Sequence, residues 1–100
     1  MKHSHPPIPA DTLNDICRRY RVSELSMFGS AVRGVLDENS DIDVLVTFRP
    51  DAQIGFMEYS HIQRELSEAF GRKVDLVSKP GLKPVIREEI LASSQVIYAE

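Results

Sequence analysis

Between Asp41 and Phe48 the chain reads Asp-Ile-Asp-Val-Leu-Val-Thr-Phe, and no other run limits the fold as much. It is rich in β-branched and aromatic residues, follows the polar loop Asp37-Glu38-Asn39-Ser40, and is closed by Pro50 and Asp51. That pattern predicts a buried strand over Asp41 to Phe48. Two like charges one residue apart at the head of such a strand need a reason.

The rest of the chain alternates around this strand. Asp11 is expected to cap a helix whose apolar stripe is Leu13, Ile16, Cys17 and Tyr20. Val22 to Phe28 reads as a strand ending at Gly29, and Ser30 to Val35 suits a short helix or tight turn. Tyr59, Ile62, Leu66, Ala69 and Phe70 recur at helical spacing, with Gly71 as the stop. Lys73 to Ser78 is a third strand, Pro84 opens a helix carrying Val85, Ile86, Ile90 and Leu91, and Val96-Ile97-Tyr98 is a last short strand. The order α-β-α-β-α-β-α-β, with short loops, predicts an α/β (α+β) fold: one mixed sheet of about four strands with helices packed on it.

With 100 residues, residues 1–100 are expected to form one domain, residues 1–9 being a Pro-rich tail. A composition of 42% apolar and 27% charged residues is that of a soluble globular protein. The net charge of -3 argues against a dedicated polynucleotide binder, which would present a basic face. No apolar run approaches the ~20 residues of a membrane span, and Met1 to Pro7 lacks the apolar core of a signal peptide. The expected location is the cytoplasm. The one cysteine, Cys17, excludes an internal disulfide and reads as a small core residue. His3, His5 and His61 fall in tail or surface positions and receive no role.

Side chains alternate along a strand, so Asp41 and Asp43 share one face while Ile42, Val44 and Val46 share the other. Their α-carbons stand roughly 6.6 Å apart in an extended chain, a separation from which two carboxylates can converge on a cation. Without a cation they repel. A strand start with polar residues is the better account of a lone Asp-x-Asp, since short motifs match by chance, but a third acid, Asp75, sits between Val74, Leu76 and Val77 in another apolar strand. Three carboxylates suit Mg²⁺, a hard cation that prefers oxygen ligands. The histidines and the cysteine have no spacing that suits zinc.

Gly29-Ser30 offers the complementary half. A glycine allows close backbone approach, and a serine opening a helix favours an anion such as phosphate, with Arg33 one turn on. Taken alone, the same residues read as a turn, an N-cap and a solvated arginine. The stretch Gly29 to Gly34 is not a Walker A loop, because no Lys-Ser or Lys-Thr follows. Together, a phosphate turn and a divalent-metal cradle are what phosphoryl or nucleotidyl transfer requires.

Gly29-Ser30, ten intervening residues, Asp41-Ile42-Asp43 and a later Asp75 resemble the DNA polymerase β-like nucleotidyltransferase superfamily. Arg33-Gly34 fits the Gly-Ser-x-x-Arg-Gly form of the turn, and the match spans about Leu25 to Val77. In its small size the chain looks like the minimal nucleotidyltransferases, the MntA-type antitoxins paired with HEPN-domain toxins. The resemblance implies that Asp41, Asp43 and Asp75 are catalytic and hold Mg²⁺, two ions being expected. Gly29, Ser30 and Arg33 would hold the triphosphate of ATP. It further implies transfer of AMP from ATP to a hydroxyl, expected to be a tyrosine, of a HEPN ribonuclease toxin encoded by a neighbouring gene. Direct nucleic-acid and membrane partners are not expected. Two other readings stand beside this one: an antitoxin that neutralises its toxin by binding alone, and a metal-dependent nuclease.

Overall fold

A computed structural model describes residues 8–29 and 41–100. The first helix, α1 (Ala10–Arg19), buries Leu13, Ile16 and Cys17, the i, i+3, i+4 set that the sequence spacing predicts. Its N-cap is Pro9, whose carbonyl accepts from the Leu13 amide at 3.1 Å. Asp11 is not the cap: it lies inside the first turn, where its charge opposes the helix dipole, as Arg18 and Arg19 do in the last turn. Arg21 turns the chain at φ 57° into strand β1 (Val22–Phe28).

Strand β2 (Ile42–Phe48) begins one residue later than expected, so Asp41 stands just ahead of it. Helix α2 (Phe56–Phe70) follows, its first turn held by the Gly55 amide donating to Glu58 Oε1 at 3.0 Å. It ends at Gly71, whose φ of 77° and amide bond to Ser67 O close the last turn. Strand β3 (Val74–Ser78) leads through a 3-10 turn at Lys79–Gly81 to α3 (Pro84–Ser93), with Pro84 in its first turn, and then to β4 (Gln95–Ala99). The expected helix or turn over 30–35 lies outside the described residues.

The four strands form one mixed sheet in the order β3-β2-β1-β4. β1 is antiparallel to β2 and β4, whereas β2 and β3 are parallel, joined by α2 as the crossover. The core lies on the face covered by α1 and α2. Leu13, Ile16, Cys17, Ile62, Leu66 and Phe70 pack there against Leu25, Met27, Ile42, Val44, Val46, Val74 and Leu76. Alternation sends Asp43, Leu45 and Thr47 of β2 to the other face. No described helix is long and apolar enough to cross a membrane.

Candidate active site

The sheet register places the acids. Asp43 pairs with Phe28 of β1 on one side and with Asp75 of β3 on the other. Cross-strand partners share a face, so the two carboxylates project together from the face opposite α1 and α2. Both lie near the start of their strands. Because β1 runs the other way, its last residues and Gly29 arrive at the same end. The parallel β2–β3 pair thus brings together residues 32 positions apart in sequence.

Asp43 is half-buried, while Asp41 and Asp75 are exposed. Burial pushes the Asp43 carboxyl above its ordinary value of 3.8, and the neighbouring charges of Asp75 and Asp41 push it the same way. Asp41 Oδ2 lies 4.0 Å from Lys73 Nζ, on the residue just before β3. Among the described residues no group of three Asp, Glu, His or Cys side chains is assembled to hold a metal ion. Two of the acids face each other on paired strands, and the third sits one residue outside the strand with a lysine beside it.

Gly29 completes this end of the sheet. Its φ of 74° is a conformation that side chains disfavour, and a β-carbon there would stand 2.5 Å from Asp43 Oδ2. The chain therefore passes directly over the Asp43 carboxylate because this residue is glycine. Ser30 and Arg33, expected to contact phosphate, lie outside the described residues.

The sequence reading missed the support behind Asp75. Tyr59 was expected only as part of an apolar stripe, yet its hydroxyl donates to Leu76 O at 2.9 Å. Gln63 Oε1 accepts from the Leu76 amide at 3.1 Å, and Ser67 Oγ accepts from the Val74 amide at 2.9 Å. Burial, with the nearby charge of Asp75, pushes the Tyr59 phenol above its ordinary range. The available signal was polar capacity at 59, 63 and 67, a repeat of four that lines one flank of a helix.

A polar cleft of about 560 Å³ lies at the opposite end of the sheet, lined by residues including Arg19, Arg21, Asp51 and Glu58. Its charges already have partners: Arg21 pairs with Asp51 at 3.2 Å, Arg19 with Glu65 outside the cleft at 2.6 Å, and Glu58 Oε1 accepts from the Gly55 amide.

Known proteins resemble most of the chain. A family model described as a nucleotidyltransferase domain matches residues 10–97. Protein adenylyltransferase MntA of Thermococcus cleftensis is 34% identical over 84 residues, covering 84% of this chain and 81% of the relative. A chain of a toxin–antitoxin crystal structure with AMP-PNP superposes with a TM-score of 0.72 at 20% identity, covering 90% of this chain and 73% of that one. A chain of the complex between tri-AMPylated Shewanella oneidensis HEPN toxin and its MNT antitoxin gives 0.62 at 16% identity, covering 90% and 69%. At these identities the two structures speak for the fold alone. The fold, the family model and the sequence relative agree, and the chain belongs to the nucleotidyltransferase family as a minimal nucleotidyltransferase of the MntA type.

Proposed function

We propose that this protein transfers AMP from ATP to a hydroxyl of a HEPN-domain toxin, expected to be a tyrosine, and thereby serves as the antitoxin of the pair. The observation that carries the reading is the pairing of Asp43 with Asp75 beneath Gly29, in a chain of this family. The acceptor oxygen forms a bond to the α-phosphorus of ATP, the bond from that phosphorus to the bridging oxygen breaks, and pyrophosphate leaves with the electron pair.

The residues are chemically suited to Mg²⁺. The donor set is all carboxylate, and the Asp43 carboxyl, raised first by burial, is raised further by the charges of Asp75 and Asp41, which a cation would offset. In this reading Asp41, Asp43 and Asp75 would hold the metal. When bound, Mg²⁺ supplies neutralisation of the charge that grows on the phosphate oxygens. Asp75 also accepts the hydrogen bond of the attacking hydroxyl and draws off its proton. Gly29 gives the polyphosphate close access to the backbone, and Ser30 and Arg33 are assigned to the triphosphate from the sequence alone.

The test is to incubate the protein with ATP, Mg²⁺ and the HEPN partner and to take the intact mass of the partner. One or more AMP additions are expected, lost with Asp41→Asn or Asp43→Asn. Neutralisation that persists in those variants without a mass change would replace transfer by simple binding.

A further inference from the structure

β3 is the edge of the sheet next to β2, and an edge strand normally leaves half of its backbone groups without a partner. The Ile42 amide donates to Lys73 O at 2.9 Å, so Lys73, and Asp75 with it by alternation, turn their backbone toward β2. Val74 and Leu76, on either side of Asp75, turn theirs outward. There they meet side chains instead of a strand: Ser67 Oγ on the Val74 amide, Gln63 Oε1 on the Leu76 amide and the Tyr59 hydroxyl on the Leu76 carbonyl. Ser67 also donates to Gln63 O at 2.8 Å, which fixes its hydroxyl. The Tyr59 ring is held against Phe48, with centroids 6.5 Å apart.

We propose that Tyr59, Gln63 and Ser67 are positioning residues for Asp75. They act as a surrogate strand that grips both neighbours of Asp75 and keeps its carboxylate opposite Asp43. Asp75 is exposed and borne by an edge strand, so the β2 ladder alone would leave its backbone free to twist away on one side. With Val74 and Leu76 held from α2, the strand is fixed from both sides. The inference rests on the assignment of Asp75 to the metal site under the proposed function.

The experiment compares Gln63→Leu, Ser67→Ala, Ser67→Thr and Asp75→Asn with the unmodified protein, at a temperature where melting curves show each to be folded. Binding of Mn²⁺ with a non-hydrolysable ATP analogue is measured by calorimetry, and AMP transfer is split into kcat and KM for the partner. Groups that orient metal ligands typically change affinity or rate about 10–100-fold. Gln63→Leu and Ser67→Ala are therefore expected to weaken binding about tenfold and to lower kcat similarly. KM for the partner should stay unchanged, and Ser67→Thr, which keeps the hydroxyl, should restore both values.

Wild-type binding and kcat in folded Gln63→Leu and Ser67→Ala, with Asp75→Asn defective, would overturn the positioning role and leave the proposed function standing. Asp75→Asn that binds and transfers like wild type would overturn the assignment of Asp75 and this proposal with it. Should Gln63→Leu not fold, the Ser67→Ala and Ser67→Thr pair decides, since it turns on one hydroxyl.

Discussion

Gly29 and Asp43 are in such close approach that a single β-carbon on the glycine would stand 2.5 Å from Asp43 Oδ2, at a backbone φ of +74°. Gly29→Ala must therefore move either the turn or the carboxylate, and a misplacement of about 1 Å at a reacting centre costs about 10²-fold in rate. AMP transfer is expected to fall by that factor, while folding stability falls by about 1–2 kcal/mol. Initial rates and urea midpoints of the variant separate the two effects. A wild-type rate would mean that the close approach does not constrain the site.

Burial, and after it the charges of Asp75 and Asp41, should make ionised Asp43 act against stability until a cation arrives. The folded-state pKa of Asp43 is raised above 3.8, so its contribution is fully present below that value and is lost as pH rises through the folded pKa. At neutral pH in EDTA, Asp43→Asn is expected to be more stable than wild type by up to about 1 kcal/mol, the scale of a like-charge pair facing across a sheet. Adding Mg²⁺ should raise the melting temperature of wild type and leave the variant unchanged. Equal melting in EDTA would contradict the repulsion.

Glu65 ties the two core helices together on their solvent side. Its carboxylate accepts from Arg19 Nη2 at 2.6 Å, Arg19 Nη1 at 3.2 Å and the Tyr20 hydroxyl at 2.6 Å. The bonds from Arg19 and then Tyr20 hold its pKa below the ordinary 4.5. The resulting stability is present above that value and lost as pH falls through the folded pKa. Because Arg19 is 46% exposed, Glu65→Gln is expected to cost only about 1 kcal/mol near neutral pH. The difference from wild type should shrink in acid below 4.5, read from urea titrations in both conditions.

Cys17 is fully buried, and burial pushes its thiol up to about 12. The thiolate is the reactive species, so the native protein at about pH 8 should resist a disulfide reagent that labels it at once in denaturant. Rapid labelling of the native chain would show that α1 opens more readily than its packing implies.

Thr47 carries a buried hydroxyl with no hydrogen-bond partner among the described residues. Removing an unsatisfied buried polar group while keeping its shape is favourable, so Thr47→Val should stabilise the fold by about 1 kcal/mol in thermal melts. A loss of stability would indicate that the hydroxyl is served after all.

The architecture was legible in the sequence wherever a pattern is local. Leu13, Ile16 and Cys17 announce the buried stripe of α1, and Ile42, Val44 and Val46 the buried face of β2. Gly71 and Pro84 mark a helix end and a helix start because each acts through its own backbone. Asp11 has the side chain of a cap for α1, but the Ncap residue is set by backbone conformation, and Pro9 takes the extended geometry two residues earlier. The pairing of Asp43 with Asp75 was legible only as chemistry, three acids in apolar strands. Its register depends on the parallel alignment of two strands separated by a helix. The hold of Gln63 and Ser67 on β3 leaves only a polar repeat of four as its trace in the sequence, and polar helix residues read as solvated until the strand beside them is known.

That helix and strand also work as a vernier. Four residues of α-helix advance about 6.0 Å, and two residues of parallel strand about 6.6 Å. Moving from Ser67 to Gln63 therefore keeps pace with moving from Val74 to Leu76, at a slip of about 0.6 Å. By the next step the slip has doubled, and the side chain there is the long Tyr59, which reaches back to Leu76 O and does not go on to the following amide. Two scales of unequal pitch coincide over one short interval, and Asp75 lies inside it.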